Sequence, residues 1–350
     1  MVSCAGERAQ QTRPGLRFKN RIFKNLNLYA FTIVFLLSVP TRWMLISKSI
    51  WLDEAWVANS VLEPSWRQMF FYPRWAQTTP PLVLSLMRGA VHLFGSGEIA
   101  LRLVPLIAGT AAVLVFGVAA KKMFSAPIAC LATTFLATNY WAIKYSQQAK
   151  QYATDLLLAT SFIYIIQELH HRRNRRTIWL LVLASGVGSF LSLTSAFWCA
   201  TSILAIAWND MRTRAWSSSI IKECLRVRSL VTATIFGTCL AVSYLLFFRP
   251  NVTPGFSRFW SAYTLGSGRR AFLTALHTFV MLLVPPVHRL AYPAGLLLLT
   301  LVGVGAFKVM SGTRKNDSLS TLLLLVAVMP IMSAVLLSLA KLVPLGNSKG

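Results

Sequence analysis

Residues Ile99–Ala120 read IALRLVPLIAGTAAVLVFGVAA and run into Lys121-Lys122. The stretch is 22 residues long and carries one charge, Arg102, near its start. As a helix it reaches about 33 Å at 1.5 Å per residue, enough to cross a bilayer's hydrocarbon core. A Lys-Lys pair directly after such a run marks its cytoplasmic end. The rest of the chain follows the same pattern. Of its 350 residues, 55% are hydrophobic and 13% charged, against the roughly 25% charged residues that dress a soluble domain. Water is therefore not the main solvent. The expected fold class is an all-α polytopic membrane protein with the lipid bilayer as its surroundings.

The other basic tracts extend this topology. Arg172, Arg173, Arg175 and Arg176 close the apolar run Tyr152–Leu169. Arg212, Arg214, Lys222, Arg226 and Arg228 follow Trp208, and Lys308, Arg314 and Lys315 follow the run Ala291–Phe307. With all of these inside, the spans are Leu28–Ile46, Ile99–Ala120, Ala126–Ile143, Tyr152–Leu169, Leu230–Phe248, Ala291–Phe307 and Leu319–Leu339. Ile178–Trp208 is too long for one crossing and basic at both flanks, so it is split near Ser192-Leu193-Thr194-Ser195 into two short helices. That gives about nine transmembrane helices. Pro80–Phe94 and Ala271–Val287 would break the charge rule as crossings, and are expected to lie along the external interface. The organisation is then a cytoplasmic basic tail over 1–27, a membrane domain over 28–340 whose long first external loop, 47–98, carries interfacial helices, and an external tail over 341–350.

A formal charge of +25 could point to nucleic acid. That reading needs a basic face on a water-soluble fold, whereas these cations fall in short tracts between apolar runs, so no nucleic-acid partner is expected. The five cysteines show no CxxC spacing, which leaves no disulfide framework and no zinc site. His92, His277 and His288 lack ligand spacing, and no metal ligands are assigned.

Acids are scarce, and only Asp53 and Glu54 are adjacent. They sit among Trp51, Leu52, Ala55 and Trp56, the kind of apolar setting that tunes a carboxylate toward general-base work. Acids at a helix start, favoured by the macrodipole, read the same way. Neighbouring residues do not share one helix face, so at most one of the two faces a substrate. Arg102 could bind a phosphate, pair with an acid or snorkel to the interface. Tyr145 opens a polar bridge between two apolar runs that contains Lys150 and ends at Asp155. Asp155 lies near the external end of its run, where acids face a polar interior, and Lys150 could pair with it. Gly266-Ser267-Gly268-Arg269-Arg270 joins small residues, which let backbone N–H groups approach an anion, to two cations; ordinary loops look alike.

Four stretches stand in a telling order: Trp51-Leu52-Asp53-Glu54-Ala55, Thr79-Pro80-Pro81-Leu82, Phe94-Gly95 through Ala100-Leu101-Arg102-Leu103-Val104-Pro105, and Tyr145-Ser146-Gln147 to Lys150-Gln151-Tyr152 with Asp155. Together they resemble the polytopic glycosyltransferases of the GT-C class, in the bacterial branch similar to protein O-mannosyltransferases and aminoarabinose transferases. The resemblance implies transfer of a sugar from a polyprenyl-phosphate carrier to a glycan, lipid or protein acceptor at the external face of a bacterial inner membrane. It also implies Asp53 as general base, Glu54 as its helper or orienter, and Arg102 and Lys150 as cations for the carrier phosphate or for holding the site together. No cofactor is implied, and a divalent metal is left open. Many relatives have Glu where Gln148 stands and Arg where Lys150 stands. The ending Pro344-Leu345-Gly346-Asn347-Ser348 resembles the start of a family loop that leads into another span, which points to a truncated member. Two other classes compete: a transporter or flippase, though no inverted repeat is evident, and a non-catalytic scaffold, which truncation would favour.

Overall fold

The computed structural model describes residues 30–44, 46–71, 78–171, 175–203, 227–252, 254–255, 268–283 and 291–311. Among the described residues the regular structure is helical throughout. Helix α1 is Ala30–Trp43, followed by α2 Leu52–Leu62, α3 Trp66–Phe70, α4 Pro81–Phe94, α5 Glu98–Met123, α6 Ala126–Thr138, α7 Tyr140–Ser146, α8 Tyr152–His171 and α9 Arg175–Leu191. Then come α10 over 195–203, α11 Val227–Val242, α12 Gly268–Leu283 and α13 Ala291–Ser311. α11 continues as a π-helical turn, Ser243–Phe248, and a 3-10 turn, Arg249–Asn251.

α5 and Thr232–Asn251 are the described helices both long and apolar enough to cross a bilayer alone. The other apolar helices are shorter, among them α1, α4, α6, Arg176–Leu191 and Pro293–Gly305. Helix length therefore does not establish about nine spans. One reason is local. The run Ala126–Ile143, expected as one helix, breaks at Asn139, whose side-chain oxygen accepts from the N–H of Ala142 at 3.0 Å and caps α7. The break near Ser192 falls where expected. The Ser192 hydroxyl accepts from the N–H of Thr194 at 3.1 Å, a turn that stops α9 before α10 begins. The N-terminal tail, the run Leu319–Leu339 and the C-terminal tail lie outside the described residues.

α5 is the hub and packs on α4, α6, α7 and α8. Small residues make this possible, as in membrane bundles generally. A Cβ on Gly109 would lie 2.7 Å from the Cβ of Ser146 in α7 and closer still to its hydroxyl, so the two backbones meet there only because the residue is glycine. The long first loop belongs to this core. Val57, Ala58 and Val61 of α2, Met69 of α3, and Val83, Leu84 and Met87 of α4 form one buried cluster with Leu101 of α5 and Ala149. At the other end of α5, Lys122 pairs with Glu168 of α8 and lies over the ring of Tyr164.

Candidate active site

α2 starts where the chain after α1 reaches α5, and its first turn carries Asp53 and Glu54. The two acids part company at once. Glu54 is 3% exposed and binds Arg102 bidentately, with Nε to Oε1 at 2.9 Å and Nη2 to Oε2 at 2.9 Å. Its Oε1 also accepts from the N–H of Ala149 at 2.7 Å, and its Oε2 from the N–H of Trp51 at 3.1 Å. Arg102 donates further from Nη1 to the carbonyls of Ile46, at 2.7 Å, and Lys48, and from Nη2 to Ser49 at 3.3 Å. A guanidinium has five N–H donors, and these five contacts use them all. The pair joins α2, the chain after α1, α5 and the α7–α8 junction at one point.

Asp53 points elsewhere. It is half-buried, has no hydrogen bond or ion pair among the described residues, and lines a cavity of about 710 Å³, within the usual range for ligand sites. Tyr145 lines the same cavity, together with Lys48, Tyr140, Lys144, Gln148 and Tyr152. Burial, with Tyr140 nearby, holds the Tyr145 phenol above its ordinary value.

The remaining expected residues are placed differently. Arg102 borders the cavity, but its donors are spent on Glu54 and on backbone, so it takes the acid-pairing reading and has none left for a phosphate. Lys150 is not among the lining residues. Burial pushes its ammonium below the usual lysine value, while Asp53 and Glu54 pull the other way. The considered Lys150–Asp155 pair does not form: Lys150 feels the carboxylates of α2, and Oδ1 of Asp155 is buried with no hydrogen-bond partner. Asp155 does not line the cavity either. Arg269 and Arg270 belong to the first turn of α12 rather than to a loop, and their side chains lie outside the described residues.

Two features were not singled out from the sequence. Arg42 in α1 is fully buried and donates from Nη1 to the carbonyls of Ser38 at 3.1 Å and Ala137 at 3.0 Å, tying α1 to the end of α6. Lys144 lines the cavity and sits against aromatic rings of its own helix. The signal for the second was present as aromatics crowded around one lysine in Tyr140-Trp141-Ala142-Ile143-Lys144-Tyr145.

Residues 78–236 match the family model of dolichyl-phosphate-mannose-protein mannosyltransferases. No curated protein and no solved structure matches the chain. The matched stretch begins at Thr78, just before α4, and takes in Arg102, α7 and the α7–α8 junction; Asp53 and Glu54 precede it. Family and apolar helices agree on a membrane protein, and the match over residues 78–236 supports a GT-C class, glycosyltransferase-like family.

Proposed function

We propose that this protein moves a sugar from a polyprenyl-phosphate carrier to an acceptor at the external face of a bacterial inner membrane, with Asp53 as general base. The observation that carries the reading is the division of labour in the first turn of α2. Glu54 is locked by Arg102, Ala149 and Trp51, while Asp53 faces the cavity with its carboxylate uncommitted. Glu54 thereby acts as the orienter, since its bonds fix the helix start from which Asp53 projects.

In the step itself, Asp53 takes the proton of an acceptor hydroxyl or amine. The freed lone pair attacks the anomeric carbon from the face opposite the phosphate, and the bond from that carbon to the phosphate oxygen breaks, its electron pair leaving with the carrier phosphate. The sugar is inverted. A cation facing the departing oxygen lowers the barrier, and positioning both reactants in one cavity supplies much of the rest.

The topology supports the external face. Arg102 and Lys121 are separated along α5 by about 28 Å at 1.5 Å per residue, close to the hydrocarbon thickness. With the Lys121-Lys122 end cytoplasmic, the cavity end is external and the N-terminus cytoplasmic. The acceptor, whether glycan, lipid or protein, is left to experiment.

The test is transfer from a radiolabelled polyprenyl-phosphate sugar by the full chain in proteoliposomes, with membrane extract as the acceptor source. Asp53→Asn is expected to lower transfer by about 10²–10⁴-fold, the usual worth of a general base, without shifting the thermal midpoint. Undiminished transfer by that variant removes Asp53 from the chemistry.

A further inference from the structure

We propose that Lys144 is the phosphate-binding residue of this cavity, a role that rests on the transferase reading above. The charged side chains lining the cavity are Lys48, Asp53, Glu54, Arg102 and Lys144. Glu54 and Arg102 neutralise each other, and the guanidinium has no donor left. Asp53 is an anion and repels a phosphate. Two lysines remain, and they differ in how they are held.

Lys48 is exposed, so its ammonium is hydrated and free to wander. Lys144 is half-buried, with Nζ 5.0 Å from the ring centroid of Trp141 and 5.8 Å from that of Tyr140. Those rings are held in turn. Trp141 stacks on Tyr145 at 5.7 Å, and Tyr145 leans on Tyr152 at 4.7 Å. The helix beneath is fixed by the Asn139 cap at its start and by the close approach of Ser146 to Gly109. Just past its end, Gln147 donates from Nε2 to the carbonyl of Thr41 at 3.1 Å.

An aromatic face attracts an ammonium through its quadrupole but carries no net charge. A carboxylate would both hold the lysine and cancel it; the rings only hold it. No carboxylate lies within ion-pair distance of Lys144 among the described residues, so a full positive charge is presented to the cavity from a rigid mount. That is what an incoming phosphate needs, and lysine serves phosphates as a point charge. The donor would then lie with its phosphate at Lys144 and its anomeric carbon toward Asp53, so one wall takes the leaving group and the other the acceptor's proton.

The experiment measures binding of radiolabelled farnesyl phosphate to the full chain in lipid nanodiscs, with farnesol and inorganic phosphate as competitors. Lys144→Gln is expected to weaken farnesyl phosphate binding by about 10–100-fold, the worth of a hydrogen bond to a charged group. Lys144→Arg should retain most of the affinity, Lys48→Gln should stay within about twofold, and Asp53→Asn should bind as well as or better than the unaltered chain while transferring sugar about 10²–10⁴-fold more slowly. Wild-type affinity in Lys144→Gln, or an equal loss in Lys48→Gln, overturns the assignment and leaves the transferase reading standing. If inorganic phosphate competes as well as farnesyl phosphate itself, the site does not serve a lipid-borne phosphate. If the unaltered chain binds farnesyl phosphate no better than farnesol, the carrier reading itself fails and this inference with it.

Discussion

α5 carries an ion pair at each end, and the two are built differently. At the cavity end, Arg102 and Glu54 are 2% and 3% exposed, joined by two parallel bonds and surrounded by five further hydrogen bonds to backbone. At the basic end, Lys122 and Glu168 are 36% and 16% exposed, and Lys122 also meets the ring and hydroxyl of Tyr164. The first pair lost its water on folding and recovers that cost only while every bond is made. The second kept much of its water and has little to lose. An ion pair thus locates a committed structure only when burial makes it costly to break.

The largest expected effect follows directly. Arg102→Met should lower stability by about 3–5 kcal/mol, because Glu54 is left buried and unpaired, and its thermal midpoint in mild detergent should fall steeply. Glu54→Gln should fall less, since it keeps an acceptor for the N–H of Ala149. Adding Glu54→Met to Arg102→Met should recover part of the loss, as removing both charges of a buried pair costs less than removing one. If the double variant is less stable than the two single losses added together, the pair is not the unit described here.

The next effect asks whether the cavity end owes its rigidity to the ion pair alone. Gly109→Ala drives a methyl into Ser146, and overpacking of this kind costs about 1–3 kcal/mol. Because α7 must move away, Lys144 and Tyr145 move with it, so sugar transfer should drop along with the midpoint. A variant as active and stable as the unaltered chain would mean that α7 is loosely seated, which would weaken the case for a rigidly mounted Lys144.

What the sequence disclosed follows the range of the interaction. The acidic doublet at a helix start, and the rule that adjacent residues face different ways, were legible because both are local. So was the break near Ser192, which a 31-residue apolar run with basic flanks demands. The partner of Glu54 was not. Arg102 lies 48 residues away, and no spacing tells a phosphate-binding arginine from one that a carboxylate has already saturated. That ambiguity hid Lys144 as well, because its role emerges only once the five donors of Arg102 are accounted for. Asn139 was overlooked because a capping residue inside an apolar run looks like one polar interruption of a span.

The smallest effect lies at the basic end. Lys122→Met removes an ion pair that is in partial contact with water, and such pairs contribute about 0–1 kcal/mol, less as salt is raised. The measurement is the thermal midpoint at low and at high ionic strength for Lys122→Met beside Arg102→Met. The Lys122 difference should shrink toward zero in high salt, while the Arg102 difference should persist, because counterions do not reach a pair that water itself does not reach. The lysine retains a second attachment, its ammonium lying 4.5 Å from the ring centroid of the half-buried Tyr164, and a cation–π contact of a partly hydrated ammonium adds about 0.5–1 kcal/mol. Glu168→Gln therefore separates the two contributions. It deletes the carboxylate charge and keeps the ring, so it should cost less than Lys122→Met, and its cost should vanish in salt first. Were Glu168→Gln to destabilise the protein as much as Arg102→Met, burial would not be what distinguishes the two ends of α5, and the committed character of the cavity end would need another source.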